Sequence, residues 1–377
     1  MKITAVEPFI VGGETRNYFF VEVQTDAGLT GIGESGLTGR ELAVEGALRH
    51  LAPLLVGQDP ERIEHLWQGM ARGGFLPAQG AVAAALSAVD IALWDIRGKA
   101  LGVPVYTLLG GRSRDRVVCY RHNRGSSVEA LVENARASCA EGWRFVRWDL
   151  PTEAGVIEPR QAIRAAVQQF EALRTALGDE VELCMDVHTR LDPADAISLL
   201  RAVEPYRPFF MEDPVRAEDL TALRRVRART AVPIAVGEQL HSKWQFRPVI
   251  EEELTDYVRV DPCLAGGITE TKKIAAMAEA HYQKLVTHNP LGPVSTAACL
   301  HLNLACPNVA VQEQPARPGS TLADVFPVQI PWTDGYLLPP TLAGLGVEWD
   351  RTAAAAHPFR LIEPPHLQRA DGSFTNW

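Results

Sequence analysis

The chain has 377 residues, 46% of them hydrophobic and 22% charged, and a net charge of −9. That length suits one large α/β barrel or two domains, and the acid excess without a basic tract argues against nucleic acid or an anionic membrane as partner. No run of about 18 apolar residues and no leader-like start is read, and the six cysteines lack a C-x-x-C pair, so a cytoplasmic protein with reduced thiols is expected.

The first thirty or so residues alternate as an antiparallel strand pair does, with Asp26-Ala27-Gly28 as the turn between Tyr18–Thr25 and the run Leu29-Thr30-Gly31-Ile32-Gly33-Glu34. Helical periodicity follows over 40–71 and again over 80–101, where Ala84, Ala88, Ile91 and Ala92 make a small-residue face. Residues 1–115 therefore read as an α+β unit. From residue 116 short apolar strands alternate with longer helical stretches, with strands expected at 117–120, 145–148, 181–185, 209–211, 234–236, 257–260, 284–287 and 309–312. Eight strands alternating with helices predict a parallel α/β barrel over 116–341, a modified TIM barrel of the (β/α)7β kind. The last segment, 342–377, is expected to pack back on the N-terminal unit and complete it as a capping domain.

An acidic residue or a histidine follows each of the last six strands: Asp186, Glu212, Glu238, Asp261, His288 and Glu313, separated by 26, 26, 23, 27 and 25 residues. One βα unit of a barrel occupies about 25–30 residues, so groups at this interval converge on the mouth where barrel enzymes work. Asp186, Glu212 and Glu238 are hard oxygen ligands suited to Mg²⁺, which would relieve their mutual repulsion. His288 on the seventh strand lies beside Asp261 on the sixth, and a carboxylate there fixes the tautomer of a general base. His188 stands two residues after Asp186 and so faces the same side in extended backbone. His122, after the first strand, is a further candidate. An ordinary helix-capping role competes with each acid taken singly.

With these residues in place the chain resembles the enolase superfamily over nearly its whole length. The resemblance is carried by Thr30-Gly31-Ile32-Gly33-Glu34, Ala92-Leu93-Trp94-Asp95-Ile96-Arg97-Gly98-Lys99, Met185-Asp186-Val187-His188, Met211-Glu212-Asp213-Pro214, Val236-Gly237-Glu238 and Ala265-Gly266-Gly267-Ile268-Thr269-Glu270. It implies removal of a proton α to a carboxylate, with Mg²⁺ stabilising the charge that develops. Mandelate-type racemases carry Lys-x-Lys at the second strand end, where this chain has Arg147-Trp148-Asp149. The nearest likeness is to galactonate and mannonate dehydratases: residues 264–314 look galactonate-like, whereas Asp186-Val187-His188-Thr189-Arg190, Tyr120-Arg121-His122 and the ending at Trp377 look mannonate-like. The loop Tyr that pairs with a second-strand Arg in mannonate dehydratases has no counterpart between Trp148 and Val181.

The resemblance implies a hydro-lyase that removes the C2 proton and the 3-hydroxyl of a sugar acid, giving a 2-keto-3-deoxy acid. His288 with Asp261 is then the base and His188 the acid, while Glu313, if protonated, or Arg147 meets the substrate carboxylate. Arg147, His122, Asn17, Arg16 and Arg72 are the expected substrate contacts. The alternatives are a hydroxy-acid racemase or epimerase and, further off, a non-catalytic metal-binding barrel. A symmetric homo-oligomer is expected.

Overall fold

Small residues decide how the N-terminal unit packs. In the computed structural model, which describes residues 1–152, 155–364 and 366–376, β1 (Ile3–Gly12), β2 (Asn17–Thr25) and β3 (Thr30–Ser35) pair antiparallel in sequence order. The expected strand pair is thus a three-stranded sheet, with β1 joined along the outer side of β2. The helical run expected over 40–71 is two helices, α1 (Glu41–Leu55) and α2 (Ile63–Arg72), separated by a turn containing Gly57 and Pro60. Across the sheet lies α3 (Ala81–Leu101) with Ala84, Ala85, Ala88 and Ala92 buried, followed by the short α4 (Val105–Leu108). A Cβ on Gly31 would stand 2.1 Å from the Ala92 carbonyl oxygen, and one on Gly33 1.8 Å from that of Ala88. Glycine at both positions is what lets β3 lie on the backbone of α3.

From Val117 strands and helices alternate: β4 (Val117–His122), α5 (Val128–Ala140), β5 (Phe145–Asp149), α6 (Pro159–Leu177), β6 (Glu182–Asp186), α7 (Pro193–Val203), β7 (Phe210–Glu212), α8 (Leu220–Arg227), β8 (Ile234–Val236), α9 (Lys243–Glu251), β9 (Tyr257–Val258), α10 (Gly267–Ala280), β10 (Lys284–Leu285), α11 (Pro293–Ala305) and β11 (Gln312–Glu313). Neighbours from β4 to β10 pair in order and in parallel. β11 returns to pair with β4, and a bridge from Leu285 to Val309 closes the ring into a (β/α)7β barrel. A hairpin, β12 (Trp332–Thr333) with β13 (Tyr336–Leu337), adds antiparallel to β4.

Period-two alternation sets what the barrel presents inside. Tyr120, Cys184, Phe210, Ala235, Val286 and Val311 fill the interior as one buried cluster, while Val146, Leu183, Met185, Met211, Ile234 and Val258 pack outward with the helices. His122, Asp186, Glu212, His288 and Glu313 each stand two positions beyond an inward-facing residue, directly above that plug. Glu238 is out of phase with Ala235; the intervening Gly237, at φ +144°, takes a backbone conformation that side chains resist and turns Glu238 inward.

The C-terminal segment, including α12 (Arg351–Ala355), is bound to the N-terminal unit at several points. Leu345 N–H donates to Asp95 Oδ1 (2.8 Å), Trp349 Nε1 to Glu22 (2.9 Å) and Gly12 N–H to the His357 carbonyl (3.0 Å). The expectation that all of 342–377 packs on that unit needs correcting. Near its end the segment crosses to the barrel, where Ile157 N–H donates to the Gln368 carbonyl (3.0 Å) and Gln368 N–H to that of Gly155 (3.1 Å). Trp377 lies outside the described residues. All six cysteines are free thiols, and among the described residues no helix is long and apolar enough to cross a membrane.

Candidate active site

Three carboxylates on adjacent strands meet at the barrel mouth. Asp186 ends β6, Glu212 ends β7 and Glu238 follows β8, and each offers an oxygen within 4.8 Å of the other two. Asp186 and Glu212 are fully buried. Burial pushes the Glu212 carboxyl well up, with Asp186 and Glu238 adding to the rise and Arg259 opposing it. Burial acts the same way on Asp186, but His188 and Arg147 hold its carboxyl well below the usual range. Among the described residues, no donor reaches the buried Glu212 Oε2. An orphaned carboxylate oxygen within a set of three hard ligands fits a divalent cation.

Two histidines flank this cluster. Three residues after β10, His288 Nδ1 lies 2.9 Å from Asp261 Oδ2, and its Nε2 is 3.3 Å from Glu238 Oε2. Burial opposes the imidazolium, yet Glu238 and Asp261 raise the His288 pKa. After β6, His188 Nε2 lies 2.9 Å from Asp186 Oδ2 and its Nδ1 3.6 Å from Asp149 Oδ1. The backbone at His188 and Thr189 is left-handed, with φ 50° and 57°. His188 N–H donates to Asp186 Oδ1 at 2.7 Å. β6 and β10 are four strands apart in a ring of eight, so the two imidazoles approach from opposite walls.

A third group closes the floor between β4 and β11. His122 Nε2 is 2.6 Å from Glu313 Oε1, and Arg259 Nη2 is 2.7 Å from Glu313 Oε2. Burial resists the charge on Glu313, but Arg259 and His122 hold its carboxyl well below the usual range. Glu313, which could meet the substrate carboxylate only if protonated, is instead held here between His122 and Arg259. Burial and Arg147 together lower the His122 pKa. Arg259, whose side chain is 0% exposed, also ties to Glu212 through Nε. Sequence reasoning passed over this residue, although an arginine two positions before Asp261 inside an apolar strand signals an inward-facing charge.

Arg147, expected at the substrate carboxylate, stands within the cluster as a counter-cation, its guanidinium shared by Asp149 and Asp186. The capping contacts divide. Arg16 reaches the site's rim, where Nη1 donates to the Pro290 carbonyl (2.7 Å) two residues after His288. Asn17 does not reach it: its Nδ2 donates to the Arg360 carbonyl (2.7 Å) and its Oδ1 accepts from the Arg360 N–H (3.2 Å), which makes it a tether for the C-terminal segment. Arg72 lines a cavity of about 400 Å³ with Trp67, Phe75, Trp244 and Gln245, whose walls include none of the three carboxylates.

Residues 130–353 match the "Enolase C-terminal domain-like" family, and residues 4–110 match the N-terminal domain of the mandelate racemase / muconate lactonizing enzyme family. The chain belongs to the enolase superfamily. Among its superfamily relatives, a D-galactonate dehydratase of Ralstonia nicotianae is 39% identical, with all of both chains covered. A D-mannonate dehydratase of Caulobacter sp. (strain K31) is also 39% identical, over 96% of each chain. Among solved structures, an enolase from Pantoea ananatis with bound D-gluconate and Mg superposes with a TM-score of 0.93 at 32% identity, covering 99% of both chains. A member of the enolase superfamily from Salmonella Typhimurium gives 0.87 at 28%, covering 95% of this chain and 98% of that one.

Proposed function

We propose that this enolase-superfamily chain is a Mg²⁺-dependent hydro-lyase that dehydrates an aldonic acid, galactonate-like or mannonate/gluconate-like, to a 2-keto-3-deoxy acid. One observation carries the reading: two histidines on opposite barrel walls, one hydrogen-bonded to a carboxylate and the other ion-paired with one, flank three converging carboxylates. Asp186, Glu212 and Glu238 would hold Mg²⁺, which supplies positive charge against that developing on the substrate carboxylate. His288, its Nδ1 held by Asp261, takes the C2 proton at Nε2. The electron pair left at C2 forms the C2–C3 double bond as the C3–O bond breaks. His188 gives a proton to that oxygen, which leaves as water, and the enol product tautomerises to the 2-keto acid. Arg147 and Arg259 keep the acids of the site paired, and Arg16 stands at the rim toward the substrate's distal end. The partner is a small sugar acid, and the proposed setting is a cytoplasmic homo-oligomer, which the six free thiols suit.

The test is a screen of aldonic acids with Mg²⁺, and with EDTA as control, reading 2-keto-acid formation. Keto acid from at least one aldonate, lost with EDTA, is expected; none from any member overturns the reading. Running the screen in D₂O separates the epimerase alternative, which would return deuterated substrate and no keto acid.

A further inference from the structure

Two buried carboxylates of the N-terminal unit lie outside the chemistry just described, and each meets the start of a barrel helix. Glu34, at the end of β3, accepts from Gly292 N–H (2.7 Å) and Ser295 N–H (2.8 Å) at the N-terminus of α11. Asp90, in α3, accepts from Thr269 N–H (3.0 Å) in the first turn of α10. Both acids are 0% exposed. The first-turn N–H groups of a helix have no intrahelical acceptor, so the carboxyl oxygens of each acid complete its helix.

What those two helices follow is decisive. α10 begins six residues after Asp261, and α11 begins five residues after His288, so the capped helices carry the two halves of the Asp261–His288 pair. The contact is reinforced beside Asp261. Gly36 N–H donates to the Cys263 carbonyl (2.8 Å), and Cys263 N–H donates to Asp261 Oδ1 (2.7 Å). A Cβ on Gly36 would stand 2.7 Å from Asp261 Oδ2. Arg16 binds the His288 loop from its other side, at the Pro290 carbonyl. Further capping-domain contacts, Ser87 Oγ accepting from Gly266 N–H (2.8 Å) and Trp67 Nε1 donating to its carbonyl (2.7 Å), fall on the α10 side.

We propose that Glu34 and Asp90 are positioning residues: acting through α11 and α10, they set the Asp261–His288 geometry, so that docking of the capping unit assembles the base. This rests on the reading of His288 as that base. Burial pushes the Glu34 carboxyl up to about 8 and that of Asp90 to about 7, the mark of acids retained in an apolar junction against a solvation cost.

The experiment compares wild type with Glu34→Gln, which turns an amide NH₂ toward a backbone N–H, and with Asp90→Ala, which removes the acceptor of Thr269 N–H. Each variant should lose on the order of tenfold to a hundredfold in kcat, with KM within about threefold of wild type. C2 hydrogen exchange into D₂O should fall by the same factor. Amide hydrogen exchange should quicken over 289–296 in Glu34→Gln and over 263–270 in Asp90→Ala. Variants that melt earlier but keep kcat within about twofold and leave those loops protected would reduce both acids to adhesives and overturn the proposal. If a variant fails to fold, Gly36→Ala decides: it removes no hydrogen bond yet presses on Asp261, so a matching kcat loss supports the coupling and full activity refutes it. A wild type that makes no keto acid and exchanges no C2 hydrogen defeats the dehydratase reading instead; the amide-exchange arm, which needs no substrate, still judges the clamp.

Discussion

His188 and His288 are both imidazoles beside carboxylates, but their partners give them different tasks. His288 is oriented by Asp261, which belongs to no metal-ligand set, whereas His188 leans on Asp186, which does. His288→Asn should lower both C2 exchange and turnover on the order of 10²–10⁴-fold, and His188→Asn should lower turnover similarly while C2 exchange persists. Proton NMR in D₂O beside a keto-acid assay reads both, and equal loss of the two activities in His188→Asn would remove it as the acid. Arg259 carries a different weight. Its guanidinium lies between Glu212 and Glu313 with no exposure, so Arg259→Met leaves two buried carboxylates facing each other. A stability loss of roughly 3–5 kcal/mol is expected in urea unfolding. At this scale the sequence showed the residues that recur with the barrel repeat, since spacing alone brings them to one rim. Arg259, Glu34 and Asp90 escaped because their partners are brought near only by folding, Arg259 by the ring of strands and the two acids by the docking of one unit on the other.

Among the elements, alternation and helical period located all eight barrel strands, because a buried parallel strand between helices leaves a compact apolar run. The boundaries that slipped have local causes. The run over 40–71 keeps one apolar face through both α1 and α2, so periodicity misses the turn that Gly57 and Pro60 impose. β1 escaped the reading because most of its residues are only half-buried and its pattern lacks clean alternation. Asn17 reads as a substrate contact in the sequence, and only the position of Arg360, 343 residues away, shows that it faces the other way. Asn17→Ala should therefore cost about 1–3 kcal/mol of stability and leave KM unchanged. Urea unfolding and steady-state kinetics check this, and a raised KM at unchanged stability would return Asn17 to the substrate.

For the molecule as a whole, two titrations report on the assembled state. Mg²⁺ at a hundred times its Kd should add about 3 kcal/mol to stability. Glu212→Gln should remove that gain, as thermal unfolding with and without EDTA will show. The second involves protons. Glu34 at about 8 and Asp90 at about 7 lie above the ordinary values of 4.5 and 3.8. The folded chain thus keeps protons that the unfolded chain has released, and the stability tied to them is full below about pH 4 and lost as pH rises through 7 and 8. Asp261 and Arg16 act electrostatically on Glu34, which in turn acts on Tyr18, and Glu64 adds to the rise at Asp90. Across pH 5 to 8 the stability of wild type should decline relative to Glu34→Gln by about 1 kcal/mol per pH unit. Parallel curves for the two proteins would place the Glu34 titration elsewhere.

The segment that returns from the barrel to Asn17, Glu22 and Asp95 has a consequence for how the protein comes into being. A ribosome releases β1, β2 and α3 first, yet Asp95 Oδ1, the outer edge of β1 at Gly12 and the amide of Asn17 receive their partners only from residues 345–360. The first domain to emerge is thus among the last to be finished, and it spends synthesis with its polar edge open while the entire barrel is made behind it. Contacts of such sequence separation slow folding. They also make the final seal conditional on a correctly closed barrel, so a chain that misfolds in its middle never acquires a complete lid over its chemistry.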